Sequence, residues 1–565
     1  MIRYFFIFIL LFELLHSYDL KKLSDNEEFK SLFHINKEKS EITDINFFIS
    51  KEKFTPYNEI KMLIEKIDDK NICKYPARYN FLKKHTNLNI SFKHCKKLNK
   101  FMDTNMGDTV SMIFASNYLG SPTSYFGHTF LKINKRNNPM FSQTISYTAQ
   151  INSNDDFFGI IAKGLSGGYK GKYLINPYFK LIETYNKTEQ RNLIEYLLDL
   201  NKEEIYLMLL HTYELKTIDL KYDFFKENCA YQLLWLLKNA RVDLNLLNKY
   251  DHIIIPFETI DLLKNENLIR SSSLRASKIN LIYNEYSKLS GDQKKKFTKL
   301  IQSQNKIEVL NNSIFTEKEK DTMKYLLNEY YDVLFKQYRY YKKDYLDVKN
   351  LIYKPREKLT NIEDFEPKKA QKIKISYIKT QKDNYRSINY RPALFDKYES
   401  YDKLSQKTLE VGNISFDLIS DDIKINKFTY LNLESYNKDF PFYIPKTWKL
   451  TIESNKELEN KFQLMFHGSY GKSYGGENSL FYIMLGTSIF PSSEEITLDT
   501  LSGLSYYYKD FIISLDIMKS IEYIKYRPKS KEKLSIRKQI DKNIDIFYTF
   551  DKVSTYHTFS LGLFF

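Results

Sequence analysis

"GSPTSYFGHTFLKI", residues 120–133, puts a single histidine at the head of an alternating apolar run, directly after a set of turn-formers. Gly127 precedes His128 at a strand edge, where a missing side chain lets another group approach closely. About a hundred residues later, "KENCAYQLLWLL" (226–237) opens a helix with a single cysteine. Asn228 is a good N-cap, and Leu233, Leu234, Leu236 and Leu237 carry the helix on. Cys229 then sits in the first turn, where unpaired N–H groups favour negative charge. A thiol becomes a nucleophile when a helix start and a neighbouring imidazole stabilise its thiolate, and the same amides can hold an oxyanion. Cys229 and His128 are therefore read as one catalytic site, the plain alternative being an inert buried thiol and a packed histidine.

Outward from this pair, "VSMIFAS", "HTFLKI" and "MFSQTISYTAQ" read as short strands bounded by Gly, Pro, Asn and Ser. "GLSGGYKGKY" reads as a glycine-rich loop. Its Gly167, Gly168 and Tyr169 form either a lid or groove wall or a plain glycine turn. "EQRNLIEYLLDL", "KEEIYLMLLHTYELK" and "NCAYQLLWLLKNA" have the spacing of amphipathic helices. Residues 105–265 are thus expected to form a compact α+β domain. Residues 18–104 before it read as a separate mixed, helix-leaning domain, and 266–370 after it as charged helical hairpins.

Beyond residue 371 the period changes to two. "WKLTIES" and "KFQLMFHGSYGKSY" alternate apolar with polar residues. In the final "YHTFSLGLFF", His557, Phe559, Leu561, Leu563 and Phe565 share one face, and Thr558, Ser560 and Gly562 the other. Roughly ten such segments point to an antiparallel barrel-like domain over 371–565, embedded in or apposed to a membrane. A closing aromatic residue resembles the assembly signal of outer-membrane barrels. The charges of "IRKQIDKN" fit lipid poorly, which keeps a soluble β-domain as the alternative.

At the other end, Arg3, the apolar run Tyr4–Leu15 and a cleavage site after Ser17 read as a secretory signal over residues 1–17. An exported chain with net charge +16 is expected to meet anionic lipid or cell-wall polymer rather than nucleic acid. Of its three cysteines, Cys73 and Cys95 are placed to pair in an oxidising compartment, leaving Cys229 as the odd thiol. The histidines and cysteines show no zinc-type spacing, and no GxxxxGK[ST] loop occurs, so no metal or cofactor is expected.

The runs "GSPTSYFGHTFLKI", "ISYTAQ", "GLSGGYKG", "ETYNKTEQRNLIEY" and "FFKENCAYQLLWLL", in this order over about 105–260, resemble the Lnb-type periplasmic domain family. The resemblance implies a permuted papain-like (NlpC/P60-like) fold in which the histidine strand precedes the cysteine helix. It also implies Cys–His acyl transfer, with Cys229 as nucleophile and His128 as general base. The named member of the family moves an acyl chain from phospholipid to the N-terminal amine of lipoproteins. Papain-like sites add a polar residue on the next strand to orient the imidazole, and Ser146, Tyr147 and Gln150 are the candidates. The family favours Asn where this chain has Gln150. Tyr185, Asn186 and Arg191 resemble the family's "YN…R" stretch, with Arg191 either meeting a phosphate or pairing with Glu195. Gly168, Tyr169, Tyr185, Asn186, Arg191 and Asn228 make up the expected substrate-binding set. Three functions stand at this level: an envelope acyltransferase on phospholipid and lipoprotein at a membrane surface, a cysteine peptidase or amidase on cell-wall peptides, and a non-catalytic outer-membrane barrel with a binding domain.

Overall fold

Seven strands form one antiparallel sheet in the spatial order Leu220–Tyr222, Tyr169–Pro177, Gln143–Ala149, His128–Asn134, Thr109–Ala115, Leu193–Leu198 and Ile269–Arg275. In this computed structural model the described residues are 19–565, apart from 37, 120–123, 248–253, 312–314, 339–341, 355–368, 382, 400–404, 420–421, 439–445, 456–461, 477 and 523–527. The expected signal at 1–17 and the start of the opening motif at 120–123 lie outside them. The central strands are apolar on both sides because both faces are covered. Helix Cys229–Ala240 packs on the His128 and Gln143 strands, with helix Lys202–Leu215 beside it. On the other face Tyr178 and Ile182 close over Ile113, Ala115, Phe130 and Leu193.

Two expectations fail here. "EQRNLIEYLLDL" is not a helix: Leu193–Leu198 is a strand with Leu193, Ile194, Tyr196 and Leu198 all buried. A short apolar run covered on both faces has the same spacing as a buried helix, so period alone cannot separate them. Residues 269–275, assigned to the helical hairpins, form the edge strand beside it.

The chain divides into two compact units, Met1–Ser277 and Lys278–Phe565. The N-terminal segment expected at 18–104 lies in the same compact unit as the sheet domain. Its helices share a core with the sheet domain through Arg78, which is fully buried. Arg78 lies 2.8 Å from Glu59 and 3.0 Å from Glu214, donates to the Phe47 carbonyl at 2.9 Å, and stacks on Phe47 and Tyr75. Removing one partner of such a network strands the other charges without water. Arg78→Met is expected to cost about 3–5 kcal/mol in denaturant unfolding of this unit. Cys73 and Cys95 are disulfide-bonded across 22 residues of sequence. Reduction is expected to lower the stability of the N-terminal helices by about 3 kcal/mol, read as a drop in melting temperature with and without reductant.

The second unit begins with helices, including Lys278–Ser287, Gly291–Gln302 and Glu317–Tyr338, around Ile282, Phe297, Leu300, Met323 and Leu326. Strands follow from Lys372 to Phe564, each paired antiparallel with its neighbour. Lys372–Lys379 pairs with the last strand, Tyr556–Phe564, and Asn384–Arg391 pairs with Ser405–Ile419, so the ring closes at twelve strands rather than roughly ten.

Its sidedness is that of a membrane barrel. Along Glu495–Tyr508, Ile496 and Leu498 are exposed (44% and 58%), while Thr497 and Asp499 are buried inside. Phe559 and Leu561 point outward as the alternation predicts, and Ser560 bonds Ser376 inside at 2.8 Å. A contiguous exposed apolar belt around a polar interior has no place in water and matches lipid. The charges of "IRKQIDKN" are accommodated by the same alternation: Arg537 turns inward between Glu399 and Asp545, and Lys538 lies over the Phe511 ring at 5.2 Å.

Candidate active site around Cys229

Cys229 is the free cysteine and is buried. Asn228 caps its helix, the side-chain oxygen accepting from the N–H groups of Ala230 at 3.0 Å and Tyr231 at 3.2 Å. The Asn228 amide in turn donates to the carbonyls of Phe224 and Ile254, so this residue builds the site's frame and is not free to bind substrate.

The sulfur lies in a split of the sheet. The His128 strand pairs with Thr109–Ala115 along its whole length, but with Gln143–Ala149 only over Leu131–Ile133. Beyond that point the two strands part, and the Thr129 hydroxyl reaches the Cys229 sulfur at 4.0 Å. The Thr129 and Ala230 N–H groups also point at the sulfur. Burial pushes the Cys229 thiol up, against these donors and the positive charge of Arg191.

His128 heads the same strand, buried, with Nε2 lacking a hydrogen-bond partner. Burial, with help from Arg191, pushes its pKa down to about 3, so the imidazole is neutral. Gly127 before it has φ +81°, and a Cβ there would lie 2.6 Å from the Phe114 ring and 3.0 Å from the Ala115 carbonyl oxygen. The glycine thus serves a tight turn against Phe114. Strand alternation puts Thr129 on the side of the cysteine helix and His128 on the other side with Phe130. The two candidate catalytic groups therefore flank the split, and no hydrogen bond joins them among the described residues. The Tyr185 ring centroid is 5.6 Å from that of His128, and burial first of all pushes its phenol up to about 12.

The remaining expected residues separate cleanly. Ser146 is buried on the same face as His128, since Lys132 registers with Thr144. Tyr147 faces the cysteine helix, donates to the Lys221 carbonyl at 2.7 Å and stacks on Tyr222. Gln150 is exposed and bonded to Asp219 at 3.2 Å, so it does not orient the imidazole. Gly167 is the left-handed cap of helix Phe157–Ser166, which makes the glycine stretch a plain turn. Gly168 follows it at the surface, and the Tyr169 hydroxyl is held by Asp155 at 2.7 Å. Asn186 is buried, donating to the carbonyls of Arg191 and Ala276. Arg191 satisfies neither earlier reading. It is buried, pairs with Glu189 at 2.9 Å and donates to the carbonyls of Ala115 and Ser116, while Glu195 is taken by Lys132. It clamps the loop before His128, and its positive charge acts on both His128 and Cys229.

Sequence reading missed Thr129 and Tyr222. The Cys229 N–H donates to the Tyr222 hydroxyl, so the first amides of the helix are all engaged at rest. No spacing in the chain marks either residue, because Thr129 reaches the sulfur through the split and Tyr222 comes from the far edge of the sheet.

With this geometry in view, the family comparison is decisive for one segment. Residues 97–266 match the Lnb N-terminal periplasmic domain. The Lnb-type match runs slightly past the expected 105–260 at both ends. Residues 366–494 and 21–85 match two domains of unknown function (DUF7840 and DUF7843). No curated protein matches the chain. Among solved structures, the NanC porin in its rhombohedral crystal form is 8% identical, covers 35% of this chain and 99% of its own, and has a TM-score of 0.24. The KdgM porin in complex with disordered oligogalacturonate is 8% identical over 34% of this chain and 99% of its own (TM-score 0.23). A loop-deleted OmpT outer membrane protein of Vibrio cholerae is 8% identical over 34% and 96% (TM-score 0.18). The barrel rests on its own register and sidedness, independent of these likenesses. An Lnb-type periplasmic domain joined in one chain to a lipid-facing barrel makes this an exported protein associated with the outer membrane.

Proposed function

We propose that the Lnb-type domain is a cysteine acyltransferase of papain-like type, with Cys229 as nucleophile and His128 as general base. The observation that carries this reading is the free thiol at a capped helix start, seated in a sheet split beside the Thr129 hydroxyl, one residue along the strand from a neutral histidine whose Nε2 has no partner. On this reading His128, which faces the other side of the strand at rest, turns through the split to take the thiol proton as sulfur attacks an ester carbonyl. The resting pair is neutral thiol and neutral imidazole, so the proton moves during attack rather than before it. The tetrahedral oxyanion takes the Cys229 N–H by displacing the Tyr222 hydroxyl, whose own proton is then free to donate. The alcohol leaves with the proton from His128, and a thioester remains until an amine or water resolves it. A chain that carries its own outer-membrane barrel keeps this domain in the compartment of phospholipids and lipoprotein N-termini, the donor and acceptor classes we assign.

The experiment is to incubate the full-length protein with vesicles of acyl-labelled phospholipid and map the label by mass spectrometry. A long-chain thioester on Cys229, absent from Cys229→Ala, is the expected result. Labelling of Cys229 by a cell-wall peptide warhead with no lipid turnover would replace the acyltransferase by an amidase. No covalent product from either donor would leave only a binding role.

A further inference from the structure

A second constellation of reactive side chains lies inside the barrel on three neighbouring strands, Gln463–Tyr474, Ser479–Phe490 and Glu495–Tyr508. His467 and Ser469 are two residues apart and both point inward, whereas Phe466 and Tyr470 point out. The His467 Nε2 is 3.1 Å from the Ser469 Oγ, and its Nδ1 is 3.1 Å from the Asp499 Oδ2. The register brings them together: Ser469 lies opposite Gly486, which lies opposite Asp499. Glycine at 486 is required, since a Cβ there would fall 2.5 Å from that of Ser469.

The protons are fixed by what each group can do. Asp499 accepts from the Ser488 hydroxyl and from Thr497 at 2.7 Å, and a carboxylate cannot donate. Nδ1 faces both the Ser488 oxygen at 2.9 Å, whose hydrogen is committed to Asp499, and the carboxylate at 3.1 Å, so it carries the hydrogen, which leaves the Nε2 lone pair to accept from Ser469. The other neighbour of the serine hydroxyl is the Met484 sulfur at 3.8 Å, a weak acceptor. All three are buried, with exposure falling from 8% at Ser469 to 3% at His467 and 0% at Asp499.

The segment Asp396–Glu399 crosses the lumen: the Lys397 backbone N–H donates to Thr408 at 2.9 Å, and its ammonium lies 2.7 Å from Asp516 on the opposite wall of the ring. Tyr398 reaches the same carboxylate at 3.0 Å, and Glu399 pairs with Lys372 at 3.1 Å and Arg391 at 2.8 Å. Tyr436, Leu480, Tyr482, Met484 and Leu501 pack between this strap and the serine.

We propose that Ser469, His467 and Asp499 form a serine acyl-hydrolase site inside the barrel, acting on carboxylic esters. The Ser469 oxygen bonds to the carbonyl carbon as its proton passes to His467 Nε2. The bond from carbon to the ester oxygen breaks, and the leaving alcohol takes that proton. Water, deprotonated by His467, then splits the acyl-serine into a carboxylic acid and restores the hydroxyl.

The test uses the full-length protein in detergent and a fluorophosphonate probe, with the modified residue mapped by mass spectrometry. Label on Ser469 is expected, lost in Ser469→Ala and slowed by ~100-fold or more in Asp499→Asn, which keeps the shape but reverses the ring's hydrogen. Ser469→Cys, nearly isosteric, checks folding by reacting instead with a thiol reagent at a rate that falls on adding His467→Gln. An unlabelled wild-type serine, or equal labelling rates in wild type and Asp499→Asn, would overturn the site.

Discussion

Cys229→Ala is expected to remove thioester formation completely, a loss of at least ~10⁴-fold in rate, because Cys229 is the free thiol among the described residues and a thioester needs its sulfur. His128→Gln should cost about 10³-fold or more, since it removes the base but leaves the sulfur and its donors in place. Thr129→Val keeps the shape but deletes the hydroxyl 4.0 Å from the sulfur, and should slow the reaction only about 10-fold. The ranking separates a catalytic dyad from a merely buried cysteine, whose loss would change stability and leave rates in proportion to folded protein. Initial rates of acyl-thioester formation with folded fraction measured in parallel check it. The same geometry sets the pH profile. With His128 pushed down to about 3 and the Cys229 thiol pushed up, alkylation of the thiol should climb steadily through pH 9. A preformed thiolate–imidazolium pair would instead give a plateau extending into acid, and observing that plateau would refute the neutral resting pair.

How much of this was readable in the chain follows from how local each signal is. The cysteine helix announces itself because cap, turn and apolar repeat all lie within twelve residues of Asn228. The barrel is legible because alternation repeats strand after strand and each face has a constant solvent. The strand Leu193–Leu198 was not, since its burial on both faces is a tertiary fact that erases the period of two. Arg191 and Asn186 look like ligand-binding residues in one dimension. Their real partners, the carbonyls of Ala115, Ser116 and Ala276, are backbone atoms that no side-chain pattern reports. Gln150 fails for a related reason: it lies one residue past its strand, where the chain turns to the surface and Asp219 holds the amide. The lumen of the barrel escaped notice altogether because His467 and Asp499 meet across a strand that separates them by 32 residues.

Acid should unfold the Lnb-type unit well before carboxylate protonation alone accounts for it. His34 and His211 face each other at 3.0 Å between their Nε2 atoms, fully buried, and His34 stacks on Trp235 of the cysteine helix. Neither Nδ1 has a partner, so a proton added to either ring is neither solvated nor paired. Burial pushes His34 down to about 3 and lowers His211 well below its ordinary range, with the other imidazole and Arg78 adding repulsion at His211. Together with His128, three histidines are neutral in the folded chain and titrate normally once it unfolds. The unfolded state therefore binds more protons between pH 6.5 and 3, and stability falls as pH drops through that window. At pH 5 His34 and His128 each cost about 2 kcal/mol, and His211 acts in the same direction. That sum approaches the whole stability of an ordinary domain. Tryptophan fluorescence of a Trp448→Phe variant leaves Trp235 as the reporter at the histidine seam, and its melting temperature should fall steeply between pH 6.5 and 5. His34→Gln should flatten that slope by about one proton, since an amide can share the hydrogen bond to His211 without a charge to solvate. A slope equal in both proteins would mean the seam opens to water before it titrates.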